Sequence, residues 1–140
     1  MSFSHSELSA IQAHDGFEAT LTDKSKNHLT SKHGDSFGVD DPLPRNPDQK
    51  PTKFKQIRTR LNKANKATVS QEIERILSSP KTEVYPEVNI RGIQGRVYRC
   101  KDTNLIVGIH TEGEFAGQIM KAQPISERQL EMLKELKSIQ

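Results

Sequence analysis

Residues 84–121 read VYPEVNIRGIQGRVYRCKDTNLIVGIHTEGEFAGQIMK, and this stretch decides the fold class. Short runs rich in β-branched and aromatic residues are separated by turn formers, which predicts four strands: Val84–Ile90, Arg96–Cys100, Leu105–His110 and Glu114–Lys121. Arg91–Gly95 and Lys101–Asn104 are short enough for hairpin connections, so the sheet should be an antiparallel meander. Leu105–Ile109 is almost wholly apolar, the pattern of a central strand covered on both faces.

Helices are predicted on either side. Downstream, Ser126-x-x-Gln129 is a capping box ahead of a stripe of Leu130, Met132, Leu133 and Leu136. Upstream, Thr68-x-x-Gln71 has the same form and precedes Val69, Ile73, Ile76 and Leu77; Pro80 ends that helix. Phe54, Ile57, Leu61 and Ala64 share one helical face from Thr52 onward. Thr68–Leu77 either continues that helix or bends from it at Asn65-Lys66. Lys24–His33 makes a short helix capped by Thr22 or Asp23, with Gly34 as its left-handed terminator. The stretch 35–51 holds Pro42, Pro44, Pro47 and Pro51 and reads as loop. Helices, a meander and a final helix make an α+β domain. Residues 1–21 carry few large apolar groups. Ser6 is placed to cap a short helix ending before Gly16. The segment is expected to dock loosely, as a remnant of an upstream region, with the domain proper covering 22–140.

A chain of 140 residues suits one domain. No apolar run approaches the roughly 20 residues that span a bilayer. The N-terminus lacks the basic and apolar regions of a secretory signal, and the one cysteine, Cys100, excludes an intrachain disulfide, so the reading is a soluble protein.

Net charge is +3, but it is unevenly placed. Residues 1–49 carry 4 Lys/Arg against 8 Asp/Glu, residues 50–101 carry 13 against 4, and residues 102–140 carry 4 against 6. Lys50–Lys66 alone has seven basic residues and no acidic one. Such a field suits a polyanion, because each neutralised phosphate releases counterions. Lys53, Lys55, Arg58, Arg60 and Lys63 are the candidate phosphate contacts; the bland alternative is a solvated basic helix face.

Cleaving RNA through its own 2′-hydroxyl needs a base, an acid and cations or N–H donors around the phosphorane, and no metal. His33 fits the acid–base part. It is expected in the last turn of its helix, where the carbonyl dipole favours the imidazolium and Lys32 opposes it, holding the pKa near neutrality. His28 lies five residues away on another face, and no C-x-x-C or H-E-x-x-H pattern occurs, so neither a metal nor a cofactor is expected. Cys100 reads as a small buried hydrophobe. Thr111, ending a central strand, can aim a hydroxyl at a phosphate.

The segment Leu29–Val39, LTSKHGDSFGV, resembles the lysine-histidine helix end and following loop of the colicin D nuclease domain. The likeness continues through Ser78-Ser79-Pro80, the hairpin at Val97-Tyr98, Leu105-Ile106-Val107 and Glu112-Gly113-Glu114-Phe115-Ala116-Gly117. It implies a compact α+β nuclease fold of the barnase, colicin and RelE kind and metal-independent cleavage of tRNA to cyclic 2′,3′-phosphates. It makes His33 the general acid/base and Lys32 the group that binds the phosphate or stabilises the transition state. Thr30 stands where the family often carries a second lysine. The last hairpin lacks the family's Ser and Trp, so Thr111 and Gln118 are taken as substitutes. Members of this kind are often tips of contact-dependent growth inhibition toxins. The resemblance therefore also implies a monomeric toxin without a membrane anchor, delivered by secretion or from the cell surface into a target cytoplasm. It implies an acidic cognate immunity protein and, as a further candidate partner, a host translation factor.

Two other readings compete. A non-catalytic nucleic-acid-binding module keeps the basic segment, but two Tyr, five Phe and no Trp offer little for base stacking. An immunity-type partner should be acidic, whereas this chain has a pI near 9.0.

Overall fold

The computed structural model describes residues 9–44 and 58–136. The order is β1 (Ser9–Gln12), β2 (Glu18–Leu21), α1 (Asp23–His33), a 3-10 turn (Gly34–Phe37), α2 (Lys63–Ser78), β3 (Glu83–Ile90), β4 (Ile93–Arg99), β5 (Leu105–Ile109), β6 (Ile119–Pro124) and α3 (Glu127–Lys134). The fold is α+β. Strands β3-β4-β5-β6 form an antiparallel meander, and β1-β2 form a separate hairpin.

The register explains why both faces of the sheet are dry. Val84, Tyr98, Val107 and Ala122 are successive partners across all four strands and therefore share one face. That row packs with Leu29 of α1, Val69, Ile73, Ile76 and Leu77 of α2, and Ile11, Ala19 and Leu21 of the hairpin. One residue on, Tyr85 and Val97 face the other way and pack with Ile106, Ile125 and Leu133, the last from α3. Every residue of β5 is buried, as its composition requires.

Several caps follow the sequence. The Thr22 hydroxyl accepts the Ser25 N–H at 3.1 Å, and Ser126 with Gln129 makes both bonds of a capping box. Other expectations are corrected. Ser6 lies outside the described residues, and Ser9–Gln12 is a strand rather than a helix. Nor does the hairpin dock loosely, since Ala19 and Leu21 are fully buried in the same core as α1 and α2. Its turn is tied to β4, where the Asp15 carboxylate accepts from Arg96 and, at 2.8 Å, from the Tyr98 hydroxyl.

Residues 52–57 of the expected basic helix lie outside the described residues. Arg58–Asn62 is not helical: Thr59 bridges Pro42, and α2 starts at Lys63. Leu61 is accordingly 49% exposed rather than inward. Asn62 is the cap, accepting the Asn65 N–H at 2.8 Å. Thr68 sits inside α2 and donates to the Ala64 carbonyl at 3.1 Å, so its apparent capping box is not one. The last strand begins at Ile119 rather than Glu114, because Gly113 and Gly117 take φ of +80° and +87° in a broad turn. In α3 only Leu133 is fully buried; Met132 faces water, as does Leu136 just beyond the end of the helix.

Candidate functional site

The end of α1 holds Lys32 and His33, and its shape is set by a neighbour distant in sequence. Gly34 is not left-handed: with φ −54° and ψ −38° it carries the chain on into the 3-10 turn, and Gly38 at φ +88° is the terminator. Gly34 is small for a different reason. A Cβ there would lie 2.7 Å from the Thr59 hydroxyl oxygen. The Thr59 N–H donates to the Ser31 carbonyl at 2.9 Å, so the strand-like segment 58–60 lies directly over the last turn of α1.

This crossing brings the backbone that carries Arg58 and Arg60 over the helix turn that ends at His33. Thr59 is buried, and its neighbours Arg58 and Arg60 are exposed on either side of it. Arg60 is held by Asp41 at 3.3 Å, and Asp41 also accepts from Asn65 at 2.9 Å. Those bonds, Asn65 first and then Arg60, hold the Asp41 carboxyl below its usual range against the opposing effect of desolvation. Lys63 is exposed in the first turn of α2, three residues after Arg60.

His33 is half-buried. Burial is the largest influence on its pKa, which lies below the ordinary value of 6.5. The charges of His28, Lys32 and Lys121 push the same way, and Asp35 opposes them. The expected balance at neutrality is thus tilted toward the neutral ring. The chain runs on past His33 into the 3-10 turn, so the carbonyl dipole that would favour the imidazolium is partly satisfied, with the Gly34 N–H donating to the Thr30 carbonyl.

The other sequence-designated residues scatter. Thr30 is fully buried and its hydroxyl has no hydrogen-bond partner, so it faces the interior and not a ligand. Gln118 is half-buried on the strand edge that bridges Thr20, and its carbonyl accepts the His110 N–H at 3.0 Å. Thr111 is exposed where β5 enters the turn. Lys53 and Lys55 lie outside the described residues. Sequence reasoning missed Lys121 and Asp35, whose charges bear on His33. Asp35 was within reach as part of the Lys-His-Gly-Asp run, whereas Lys121 meets α1 only through the tertiary fold.

Among the described residues no helix is long and apolar enough to cross a membrane, and no three His, Cys, Asp or Glu side chains converge as metal ligands would. No protein-family model matches the chain, and no curated protein or solved structure matches it.

Proposed function

We propose that the chain is a metal-independent endoribonuclease acting on tRNA, and a bacterial toxin of the colicin D kind. The observation that carries the reading is the crossing of segment 58–60 over the end of α1. It lays the segment that bears Arg58 and Arg60 over the helix end that bears Lys32 and the half-buried, deprotonation-prone imidazole of His33. In that setting neutral His33 accepts the 2′-hydroxyl proton. The resulting imidazolium is a proton source for the departing 5′-oxygen, and the surrounding cations stabilise the phosphorane. The tRNA substrate, the toxin role and an acidic immunity partner rest on the resemblance of Leu29–Val39 to that family.

Purified protein and its His33→Ala variant should be incubated with total bacterial tRNA in EDTA and run on a denaturing gel. Discrete fragments from the unaltered chain alone support the reading. Equal cleavage by both proteins removes His33 from the site. Intact tRNA in both lanes, with the RNA retained by the protein in a mobility shift, favours a binding module instead.

A further inference from the structure

The end of the sheet remote from His33 holds a cavity that this chemistry does not use. Lys121, whose charge bears on His33, donates to the Gly92 carbonyl just ahead of β4. The seven residues of β4 then carry the chain roughly 25 Å to the opposite end of the sheet. There a cavity of about 380 Å³ lies between two turns, with Arg75, Ser79, Lys81, Cys100, Lys101 and Asp102 among its lining residues. Its volume falls at the small end of the range for ligand sites.

The walls are pinned and the cations are not. Thr82 is buried; its hydroxyl donates to the Ile76 carbonyl at 2.7 Å and its N–H to the Ser79 carbonyl at 3.1 Å. Across from it the β4–β5 turn is closed by the Asn104 N–H on the Cys100 carbonyl at 2.9 Å, with Asn104 left-handed at φ +57°. Although α2 ends here, its last carbonyls are occupied: Arg75 accepts the Ser79 N–H, Ile76 the Thr82 hydroxyl and Leu77 the His14 N–H. The helix end therefore shows an incoming anion few bare carbonyls. Lys81 and Lys101 are exposed and form no ion pair among the described residues. Glu72 grips Arg75 through Nε and Nη2, leaving Nη1 outside that pair.

We infer that this cavity is a binding site for a small phosphomonoester, whose dianionic phosphate sits between Lys81, Lys101 and Arg75. Three cations against the one Asp102 carboxylate make the lining electropositive. A phosphomonoester carries close to two negative charges at neutral pH and a phosphodiester one, so the monoester gains more from the cluster. The ammonium groups meet it as point charges, and the guanidinium adds directed N–H donors. Asp102 can accept a hydroxyl of the ligand's organic part. A terminal phosphate on a nucleic acid has the same chemistry. A cavity of this size holds a small molecule whole, however, whereas a nucleic-acid end would leave most of its chain outside.

Cys100 supplies a reporter inside the cavity. Burial pushes its thiol up, but the Thr103 hydroxyl, the backbone of Thr103 and Asp102 and the Arg75 charge outweigh that and hold it below its ordinary value. An anion seated beside the thiol covers it and disfavours its thiolate, so alkylation slows.

The test titrates the full chain, near neutral pH and at constant ionic strength, with glycerol phosphate, dimethyl phosphate and glycerol. Two signals are read: the backbone amides of Lys81, Thr82, Lys101 and Asp102, and the rate of Cys100 alkylation by iodoacetamide. Glycerol phosphate should shift the amides saturably and slow the alkylation, with dimethyl phosphate at least about tenfold weaker and glycerol silent. Lys81→Gln/Lys101→Gln should weaken binding by at least about tenfold, with an otherwise unchanged amide spectrum reporting its fold. No saturation with glycerol phosphate, an equal response to dimethyl phosphate, or unchanged binding by the double variant overturns the site. A 5′-phosphorylated oligodeoxynucleotide, which has no 2′-hydroxyl to attack its own backbone, separates the two sources of phosphate. If it alone gives the shifts, the cavity serves nucleic acid and the small-molecule site is overturned. Binding is read without RNA cleavage, so the outcome stands apart from the ribonuclease reading.

Discussion

Gly34 and Thr59 touch so closely that residue 34 cannot carry a side chain without displacing residue 59, the Cβ position lying 2.7 Å from Oγ1 and 2.8 Å from Cγ2 of the threonine. Because Thr59 also bonds Ser31, this contact fixes the backbone of segment 58–60 against the helix end that bears His33. Gly34→Ala should therefore cost about 1–3 kcal/mol as an overpacked site, measured by urea unfolding. RNA cleavage should fall further than that loss explains at temperatures where the variant is fully folded. Thr59→Ser on the Gly34→Ala background removes Cγ2 and should restore part of both. A neutral Gly34→Ala would mean that the crossing is loose.

His33 has a pKa below 6.5, and the sign of the resulting pH dependence follows. The unfolded chain takes up the proton first as pH falls, so stability declines as pH drops below 6.5 through the lower folded value. An NMR titration of the ring should place its midpoint below 6.5, and His33→Gln should flatten that part of the stability profile. On the activity side, kcat/KM should lose its base form only below the ordinary histidine range. A midpoint at or above 6.5 would remove the claim that the ring is held neutral.

How much of this was legible in the sequence depends on the range of the interactions. The meander, the Thr22 and Ser126 caps and the inward face of α2 are set by residues within a few positions of one another, and these were readable. Segment 58–62 was not. Its helical spacing is real, but Thr59 is drawn into an extended bridge by Pro42, Ser31 and Gly34, all at least 17 residues away along the chain. Residues 9–21 failed for the same reason: Ala19 and Leu21 are buried by α1, α2 and the sheet, which a local window cannot see. In the site, the Lys32-His33 pair was legible as a motif. Burial of Thr30 and the influence of Lys121 were not, because both depend on which elements pack together.

Arg58 and Arg60 make a prediction about salt. If they contact phosphates, Arg58→Gln/Arg60→Gln should weaken RNA binding at low salt and reduce the slope of log K against log salt by about two, roughly one per lost contact. Arg60 also carries the Asp41 pair, so binding isotherms should be compared with Asp41→Asn, which frees Arg60 while keeping its charge. An unchanged slope in the double variant would place the polyanion elsewhere on the molecule.

Tyr98 provides a check on the docking of the N-terminal hairpin. Burial is the main cause of its raised pKa, pushed up to about 12, and its bond to Asp15 adds to the effect while Arg96 opposes it. A phenol with a raised folded pKa keeps its proton after the unfolded chain has lost one. Stability should thus fall as pH rises from about 10 toward 12. Tyr98→Phe should reduce that alkaline loss, leaving the part that Tyr85, whose pKa is also raised by burial, contributes. At neutral pH it should cost about 1–2 kcal/mol, because Asp15 loses a donor and Arg96 Nε an acceptor. Phenolate absorbance during an alkaline titration, alongside thermal melts of both proteins, tests the two effects separately. If Tyr98 ionised in the normal range, its hydroxyl would be open to water, and the Asp15 turn would not be latched to β4.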